Sequence, residues 1–497
     1  MALFSGDEIK KIRIEKLNKI KKQGINPYPY MFKITHSVTQ IRSMFSNLKS
    51  EQTPSDEIST AGRIMSIREM GKASFAHIKQ AGERLQLYFK KDLLGEKDYQ
   101  FFKTLDIGDF IGVSGSVFIT KTGELTLKIK KFFLLAKSIK PLPEKWHGLK
   151  DVEIRYRQRY LDILVNDEVR RVFITRTKII KAIKKFLDQK GFLEVETPMM
   201  QPIPGGARAR PFVTHHNALD RDLFLRIAPE LYLKRLIVAG IDKVYELNRS
   251  FRNEGISIRH NPEFTMLEVY QAYIDYYGMM QLCEQIIAAV VKEIFGEERI
   301  FYKGNEIPFT SPWQRKSFFE ILREKTKVDF LSLNNKEIEK KARSLDIKFT
   351  PEDSTFKILE SIFETVVQPE LIQPTIIYDY PKESSPLAKT HRNDPRLVER
   401  FEVFIGKEEI ANAYTELNDP QEQRERMQLQ LQQKEKGDEE AQYLDEDYIK
   451  ALEYGMPPCA GLGIGIDRLI MILTDKTSIR EVILFPQLRP TNNNRER

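Results

Sequence analysis

The sequence predicts a multi-domain protein in which a small all-β barrel precedes an α+β domain whose mainly antiparallel sheet is flanked by helices. Two observations predict this class. Short β-branched and aromatic runs separated by turn residues fill residues 55–137, whereas helical patterns and separate strands follow in residues 151–497. The length of 497 residues also requires more than one core, because a domain usually contains about 150 residues.

Composition excludes several classes of protein. Hydrophobic residues make up 41% of the chain and charged residues 30%, which is typical of globular proteins. No apolar run approaches the roughly 18 residues that cross a bilayer, and the N-terminus lacks the apolar core of a secretory signal, so we expect no membrane association. Cys283 and Cys459 are too few for a disulfide framework or a structural zinc site, which favours a cytoplasmic location.

Positive charge is concentrated at the front of the chain. Residues 1–150 hold 27 Lys and Arg against 15 Asp and Glu, whereas the remainder has a slight excess of acids within an overall charge of +8. This distribution indicates that residues 1–150 contact a polyanion, and it favours nucleic acid over a membrane surface. A solvated basic face accounts for the charge equally well.

The front segments are assigned in chain order. Residues 1–54 hold a basic helix and its lead-in, because Ile9, Ile12, Leu17 and Ile20 recur among lysines at near-helical spacing. Residues 55–137 fit about five antiparallel strands with aromatic and basic side chains, the pattern of an OB-fold, which binds single-stranded nucleic acid or oligosaccharide. Residues 138–150 have two prolines and little periodicity, which indicates a linker.

The larger domain, residues 151–497, begins with a long helix over residues 167–190. A helical insertion is expected at about 325–390. Strands that mostly follow strands, with helices segregated from them, favour an antiparallel sheet over alternating βαβ units. The segments expected to form strands are 224–227, 243–248, 263–272, 401–406 and 459–464.

Three segments carry candidate chemistry. The first, residues 251–273, has the outline of a strand, a charged turn and a second strand. Its donors Arg252, Arg259 and His260 suit phosphate oxygens, because a guanidinium grips them with two hydrogen bonds. An arginine-rich hairpin is nevertheless more often structural.

The second segment, residues 461–474, places small residues before a helix that opens at Asp467 and Arg468. It lacks the Lys-Ser/Thr of a P-loop and the glycine spacing of a dinucleotide fold. Glycines beside a helix N-terminus permit close approach of a ligand, with Arg468 as a second cation. Close packing of the helix on the sheet explains the glycines equally well.

The third segment, residues 400–419, carries Glu402, Glu409 and Glu416 at intervals of seven. They share a face only if a turn intervenes, and Gly406 supplies one. Carboxylates near phosphates suggest Mg²⁺, which takes one or two of them and completes its octahedron with phosphate oxygens and water. Three unrelated surface acids would be the more frequent explanation of this spacing.

These segments resemble a known family. In order and spacing, motifs 1, 2 and 3 of the class II aminoacyl-tRNA synthetases are similar to GFLEVETPMM, FRNEGISIRHNPEFTMLEVY and GLGIGIDRLIMIL. The front half resembles the anticodon-binding OB domain of the subgroup with lysyl, aspartyl and asparaginyl enzymes. The segments that most specifically resemble bacterial-type lysyl-tRNA synthetases are IPGGARARPFVTHHNALDRDLFLRIAPELYLKRLIVAG and IANAYTELNDP. The resemblance covers essentially the whole chain.

The resemblance implies a catalytic sheet of six to seven antiparallel strands and a homodimer formed partly through motif 1 around Pro198. It implies a lysine–tRNA ligase that activates L-lysine with ATP, with Mg²⁺ as cofactor, and charges tRNA(Lys). The implied ATP-binding residues are Arg252, Glu254, His260, Phe264, Glu402, Glu409 and Arg468, with Arg252 and Arg468 catalytic and Glu402 and Glu409 holding Mg²⁺. The implied lysine-binding residues are Gly206, Glu230, Glu268, Tyr270, Asn412, Tyr414 and Glu416. The implied anticodon-binding residues are Arg68, Phe75 and Gln86.

Physical chemistry favours lysine over the other substrates of this subgroup. An aspartate site calls for a cation, whereas Glu230, Glu268 and Glu416 suit an ammonium group with an ordinary pKa of about 10.4. Two rivals stay open: a lysyl transferase that modifies a protein, and a non-catalytic nucleic-acid-binding relative. The predicted OB domain argues against the first, and intact Arg252 and Arg468 argue against the second.

Overall fold

The computed structural model describes residues 6–490 except 50–56, 144–148, 150, 351–352, 436–437, 439–440 and 442. The chain divides into two compact units, Met1–Arg170 and Arg171–Arg497. Parts of the predicted lead-in and linker lie outside the described residues, and the domain boundaries drawn from the sequence stay predictions. Within the described residues, no helix is long and apolar enough to span a membrane.

The first unit contains a closed five-stranded barrel with the strand order β1-β2-β3-β5-β4. All neighbours in the ring are antiparallel except β3 and β5, which run parallel. An odd number of strands cannot alternate in direction around a closed ring, so the expectation of a wholly antiparallel barrel was wrong for this one pair. The elements of this unit are α1 (Gly6–Lys22), α2 (Val38–Met44), β1 (Ile58–Met70), β2 (Ala73–Gln80), β3 (Glu83–Lys90), α3 (Lys91–Leu94), α4 (Glu96–Lys103), β4 (Phe110–Ile119), β5 (Leu125–Ala136), α5 (Val152–Arg157) and α6 (Arg159–Val165).

Period-two alternation builds the barrel core. Side chains such as Ile64, Ile78, Leu87 and Val113 are fully buried, while their neighbours along each strand face outwards. The buried face of helix α1 differs from the apolar face predicted from the sequence, because Ile12 is exposed. Arg13 is buried there instead, because its guanidinium donates to the carbonyl oxygens of Ile107 (3.0 Å) and Lys140 (3.1 Å).

The second unit is built on an eight-stranded sheet with the order β14-β15-β16-β17-β18-β11-β10-β6. The six strands from β15 to β10 are antiparallel, and the edge strands β14 and β6 pair in parallel. The elements are α7 (Asp167–Gln189), β6 (Leu193–Glu194), β7 (Met200–Gln201), β8 (Val213–His216), β9 (Arg221–Leu225), α8 (Glu230–Val238), β10 (Lys243–Phe251), β11 (Glu263–Ala272), α9 (Tyr276–Phe295), β12 (Arg299–Tyr302), β13 (Asn305–Pro308), β14 (Gln314–Ser317), α10 (Phe318–Thr326), α11 (Asn335–Ser344), α12 (Thr355–Val366), β15 (Thr375–Pro381), β16 (Leu397–Ile405), β17 (Glu408–Thr415), α13 (Pro420–Glu435), α14 (Glu446–Glu453), β18 (Cys459–Gly465) and α15 (Ile466–Leu473).

Two expectations about this sheet were wrong. It has eight strands rather than the six to seven that the resemblance implies, because the short strands β6 and β14 pair in parallel at its two edges. The predicted insertion at 325–390 contains helices α11 and α12 but also β15, a strand of the main sheet. The predicted long helix and the strands at the positions of β10, β11, β16 and β18 are confirmed, as is the α+β class.

One face of the sheet packs against α9 and α15, and the other, partly covered by α8, forms a cleft. On β11, Leu267 and Val269 are fully buried in the main core with α9 and α15, whereas Met266, Glu268 and Tyr270 line a cleft. Successive side chains of a strand point to opposite faces, so β11 divides core from cleft residue by residue.

A buried ion cluster in the first unit generates a test of stability. The ammonium of Lys137, without exposed surface, contacts Asp109 Oδ1 at 2.9 Å and Asp106 Oδ2 at 2.6 Å, and Asp109 is also buried. Lys137→Met removes the cation and leaves buried Asp109 without an ion pair, whereas Asp106 keeps Lys16 at 2.7 Å; the loss should cost about 3–5 kcal/mol. Hydrogen exchange of the β4 and β5 amides in the full chain measures the loss. Lys131→Met, at an exposed position of β5, the strand that ends just before Lys137, is the control, and equal exchange in both variants would contradict the prediction.

Candidate active site

The sheet face opposite α9 and α15 carries a cleft of about 1780 Å³ in the second unit. Its floor is β18, where Gly461, Gly463 and Gly465 occupy alternate positions. These glycines lie directly opposite Tyr270, Glu268 and Met266 of β11. Opposite residues of an antiparallel pair share a face, so the side chains of β11 stand over a floor without side chains.

Strand β17 borders the floor on its other side. Asn412 pairs with Gly463, and Tyr414 pairs with Gly461. A Cβ added at Gly461 would lie 2.3 Å from Glu416 Oε1 and 2.4 Å from Tyr270 Cε1, so any side chain there would displace both groups. The glycines of this segment therefore make room for the side chains that line the cleft.

The arginine-rich end of the cleft is formed by the loop between β10 and β11. Arg252 directly follows β10, and its guanidinium lies over the ring of Phe264, 5.1 Å from the centroid. Its Nε is buried and donates to no acceptor among the described residues. Exposed Glu254 and His260 lie on the same loop and line the cleft. A half-buried cation whose buried Nε has an unused donor suits an anionic ligand.

Helix α15 brings a second cation to this end. Arg468 Nη1 donates to the carbonyl oxygen of Glu409 at 3.0 Å, and Nη2 lies 3.3 Å from His260 Nε2. Burial and the charge of Arg468 lower the pKa of His260. His260 Nδ1 lies 2.9 Å from Ser257 Oγ, so one ring nitrogen has a partner in the loop and the other has Arg468 of α15.

Asp467 fixes the start of that helix against β11. Its carboxylate accepts hydrogen bonds from the Thr265 backbone N–H at 2.8 Å and from Arg176 Nη1 at 2.5 Å. Asp467 is buried, so the ion pair is not exposed to competition from solvent. This contact sets the position of Arg468 relative to Phe264, which precedes Thr265.

Glu402 and Glu409 lie on the two strands of one hairpin, and the turn between them contains Gly406, as the sequence predicted. Glu402 Oε1 accepts from Arg400 Nη2 at 2.5 Å, and Oε2 accepts from the Tyr380 hydroxyl at 2.9 Å. Burial raises the pKa of Glu402 to about 7, and the charge of Glu409 contributes to the shift.

The donor set at this hairpin fits a hard divalent cation. Both carboxylates line the cleft, and each oxygen has more than one lone pair. Among the described residues, no group of three or more acidic, His or Cys side chains is arranged for a metal. Two carboxylates are sufficient for Mg²⁺ only when a substrate supplies further oxygens, which is the usual case for this ion.

The other end of the cleft gathers buried acids. Glu230 begins α8, Glu268 lies on β11 and Glu416 follows β17, and all three are buried. Burial and the charge of Glu230 raise the pKa of Glu268 to about 8. Burial also raises the pKa of Glu416 well above its ordinary value. Such a cluster is costly unless cations approach it.

Two tyrosines hold these carboxylates. The Tyr270 hydroxyl donates to Glu268 Oε2 at 2.9 Å, and the Tyr414 hydroxyl donates to Glu230 Oε1 at 2.5 Å. Gly206, at φ +86°, closes this end, because its backbone conformation disfavours a side chain and a Cβ would lie 2.9 Å from Glu230 Cβ.

The structure brings the candidate residues of the second unit into the lining of one cleft, except Glu416, which is buried beside Gly461 of that lining. It also adds residues that sequence reasoning missed. Lys234, Arg400 and Tyr380 contact the predicted acids without having been predicted, and the ring of Tyr448 lies beside Lys234. Lys234 is the one that a pattern could have revealed. It lies four residues after Glu230 in an otherwise mostly apolar stretch of α8, where a helical i,i+4 pair brings the two side chains together.

The barrel of the first unit carries a separate candidate surface. Arg68 pairs across the strands with Phe75, and Phe75 pairs with Tyr88, whose ring centroid lies 4.9 Å away. The Tyr88 ring in turn contacts Phe118 at 5.9 Å. These rings form an aromatic strip, which suits stacking of bases. The sequence predicted Phe75 but missed Tyr88 and Phe118.

Gln86 lies beside this strip with its amide already oriented. Its Nε2 donates to Glu124 Oε2 at 2.7 Å, and its Oε1 accepts from Thr126 Oγ1 at 2.7 Å. Nε2 also lies 3.5 Å from His77 Nε2, so the amide protons have partners and one lone pair of Oε1 is left for a ligand.

Comparison with known proteins agrees with this geometry. Residues 151–489 match the family model of tRNA synthetases class II (D, K and N), and residues 58–135 match that of the OB-fold nucleic acid binding domain. The chain is 53% identical over 491 residues to the lysine–tRNA ligase of Moorella thermoacetica, covering 99% of both chains. It is 55% identical over 487 residues to that of Pelotomaculum thermopropionicum, covering 97% of this chain and 95% of the relative.

The lysine–tRNA ligase of Bacillus cereus is 50% identical over 483 residues, covering 96% of each chain. These identities extend over both units, and the synthetase model covers more than half of the chain. The resemblance seen in the sequence motifs is thereby confirmed. The chain belongs to the lysine–tRNA ligase family, the ATP-dependent class II aminoacyl-tRNA ligases with an N-terminal OB-fold domain.

Proposed function

We propose that the cleft of the second unit joins L-lysine to ATP and then passes the lysyl group to the 3′ end of tRNA(Lys). One observation carries the proposal: the same cleft contains a buried cluster of carboxylates and an arginine-lined end. The carboxylates suit the two ammonium groups of lysine, and the arginines suit a polyphosphate.

Both steps proceed without a side-chain nucleophile. The lysine carboxylate attacks the α-phosphorus of ATP, and the bond to pyrophosphate breaks and leaves lysyl-adenylate. The terminal ribose hydroxyl of tRNA then attacks the activated carbonyl and releases AMP. Acceleration comes from positioning and from stabilisation of phosphoryl charge, for which we assign Arg252 to the α-phosphate and Arg468 to the γ-phosphate end.

The other residues of the cleft are assigned by their contacts. Phe264 offers a ring for adenine, with Glu254 and His260 beside it on the loop. We assign Glu402 and Glu409 to Mg²⁺, shared with phosphate oxygens, where the ion would neutralise phosphate charge. The residues assigned to lysine are Gly206, Glu230, Glu268, Tyr270, Asn412, Tyr414 and Glu416.

On the barrel, we assign Arg68, Phe75 and Gln86 to the central anticodon base. Exposure of Arg68 and the partial exposure of Phe75 and Gln86 support this assignment. Base contacts specify the sequence, whereas the lysines of α1 would contact phosphates without reading it.

We also propose that the chain acts as a homodimer in the cytoplasm. Support for a dimer comes from exposed apolar side chains around motif 1. Met199, Met200, Val213 and Leu219 are exposed there, and clustered exposed apolar side chains are typical of an interface. Sedimentation of the full chain measures the oligomeric state.

Lysine-dependent exchange between ATP and pyrophosphate tests the proposal, because it reports adenylate formation without tRNA. Glu268→Gln should raise the KM for lysine by roughly 10- to 150-fold, corresponding to the loss of a charge-assisted partner worth about 1.5–3 kcal/mol. The KM for ATP should stay unchanged. Glu263→Gln, on the same strand but paired with Arg249 at 3.5 Å, is the control. A defect confined to ATP would remove Glu268 from the lysine pocket.

The raised pKa of Glu268 also predicts that lysine binding by the wild-type chain depends on pH. With a pKa of about 8, Glu268 is mostly protonated at pH 7, so binding of an ammonium group should release the proton. The KM for lysine should therefore fall as the pH rises towards 8. Calorimetry in buffers of different ionisation enthalpy should detect this proton release in the wild-type chain and find it reduced in Glu268→Gln.

Phe75→Ala should weaken tRNA binding and leave the exchange reaction intact. Loss of a stacking ring costs roughly 1–3 kcal/mol per base, which appears as a higher KM for tRNA in aminoacylation. Phe133→Ala removes an exposed ring of β5 that lies 5.8 Å from Phe32, and it serves as the control. Loss of both activities in Phe75→Ala would instead identify Phe75 as a residue needed for folding.

Replacing Lys19, Lys21 and Lys22 by glutamine tests the basic helix. These lysines occupy the exposed last turn of α1, and each phosphate contact adds about 0.7–0.9 to the slope of log K against log salt. The slope for tRNA binding should therefore become shallower while the preference for the anticodon is retained. An unchanged slope would mean that these lysines do not contact the tRNA.

A further inference from the structure

Lys234 is a cation enclosed within the acidic end of the cleft. It lies on α8, its side chain has no exposed surface, and its ammonium contacts Glu230 Oε1 at 2.6 Å. The same ammonium pairs with the Glu416 carboxylate. It also lies 5.4 Å from the ring centroid of Tyr414 and 6.0 Å from that of Tyr448. No assignment made so far uses this residue.

The cluster has an unequal number of charges. Glu230, Glu268 and Glu416 provide three carboxylates, and Lys234 provides one ammonium. Glu268 makes no ion pair among the described residues, and the neighbouring Arg226 is already paired with Glu246 at 2.6 Å. With all three carboxylates ionised, the buried end of the cleft is therefore two positive charges short of neutrality, and free lysine carries two ammonium groups besides the carboxylate that reacts with ATP.

The cluster also has acceptor capacity that the protein does not use. Glu416 Oε1 is buried and accepts no hydrogen bond from the described residues. It faces Gly461, where a Cβ would lie 2.3 Å away. A buried ion pair that only stabilised the fold would be expected to satisfy its own oxygens, because an unpaired buried acceptor is costly. The open oxygen indicates a place for a further donor.

We propose that Lys234 is a specificity-determining residue that holds Glu230 and Glu416 in place and sets the charge of the pocket, so that an amino acid with two ammonium groups neutralises it. The proposal rests on the proposed binding of lysine in this cleft. An amino acid with a neutral side chain supplies one ammonium group and leaves one buried carboxylate unpaired. Lys234 acts through the carboxylates, so it is a positioning residue rather than a catalytic one.

The electrostatics agree with this role. Burial by itself would lower the pKa of Lys234, but the carboxylates of Glu230 and Glu416 raise it well above the ordinary value of a lysine. The ammonium therefore stays charged at neutral pH. The titratable groups around Lys234 are Glu230 of α8, Glu268 and Tyr270 of β11, Tyr414 of β17, Glu416, Tyr448 of α14 and Cys459 of β18.

Lys234→Met tests the proposal, because it keeps an apolar stem of similar length and removes the charge. Without the cation, Glu230 and Glu416 should take up protons that lysine must displace. We expect the KM for lysine in pyrophosphate exchange to rise about tenfold or more, with the KM for ATP unchanged. Discrimination between lysine and 2-aminohexanoate, which lacks the side-chain ammonium, should fall.

Proton release separates a charge-setting role from a packing role. Calorimetry should find more protons released per lysine bound by Lys234→Met than by the wild-type chain at pH 7, and the KM for lysine should fall more steeply as the pH rises. Arg235→Met is the matched control, because it removes the neighbouring cation of α8, which pairs with Asp445 at 2.7 Å. Unchanged proton release and unchanged lysine KM in Lys234→Met would overturn the proposal.

If Lys234→Met does not fold, as judged by loss of thermal stabilisation by ATP, a second variant tests the proposal. Lys234→Ala leaves a cavity that methylammonium can enter, whereas methanol has a similar size and no charge. Recovery of exchange with methylammonium alone supports the proposal, and recovery with both or with neither overturns it. Absence of lysine-dependent exchange in the wild-type chain would instead refute the proposed function.

Discussion

The register between β11 and β18 is the constraint on which the cleft depends. It places Gly461, Gly463 and Gly465 opposite Tyr270, Glu268 and Met266, so one strand supplies side chains and the next supplies space. A shift of one residue would turn Glu268 and Tyr270 into the apolar core and bring Leu267 and Val269 to the cleft, because side chains alternate along a strand. The same ladder aligns Asn412 and Tyr414 from the other side.

Charge in the cleft follows a common rule. Most acids have a resident cation: Lys234 for Glu230 and Glu416, Arg400 for Glu402, and Arg468 for Glu409. A buried carboxylate left without a partner would be destabilising or protonated, so these pairs keep the acids in defined positions before substrates arrive. Glu268 is the exception, and burial raises its pKa to about 8. An arriving ammonium group should therefore favour the ionised form of Glu268.

The parts of the fold that the sequence predicted are those with long, regular patterns. Helix α7 and strands β10, β11 and β18 could be recognised from their periodicity, and Arg252 and Arg468 stand in motifs whose order is specific. Strand β17 escaped because glutamates and alanines obscure its alternation, although Glu408 is buried in it. Lys234 and Arg400 escaped for another reason. A lysine or arginine is normally exposed, and only the three-dimensional arrangement shows that these two are enclosed by carboxylates.

Resident cations also explain how an acidic site can be both stable and selective. A pocket of three unpaired carboxylates would bind protons at neutral pH and lose the charges that distinguish an ammonium group from an apolar side chain. A pocket of three carboxylates with too many cations would leave nothing for the substrate to neutralise. Lys234 gives the pocket a net charge between these two extremes. It pairs with two acids, while Glu416 Oε1 and Glu268 keep acceptor capacity. The selectivity of the cleft thus depends on an incomplete neutralisation that the protein itself maintains.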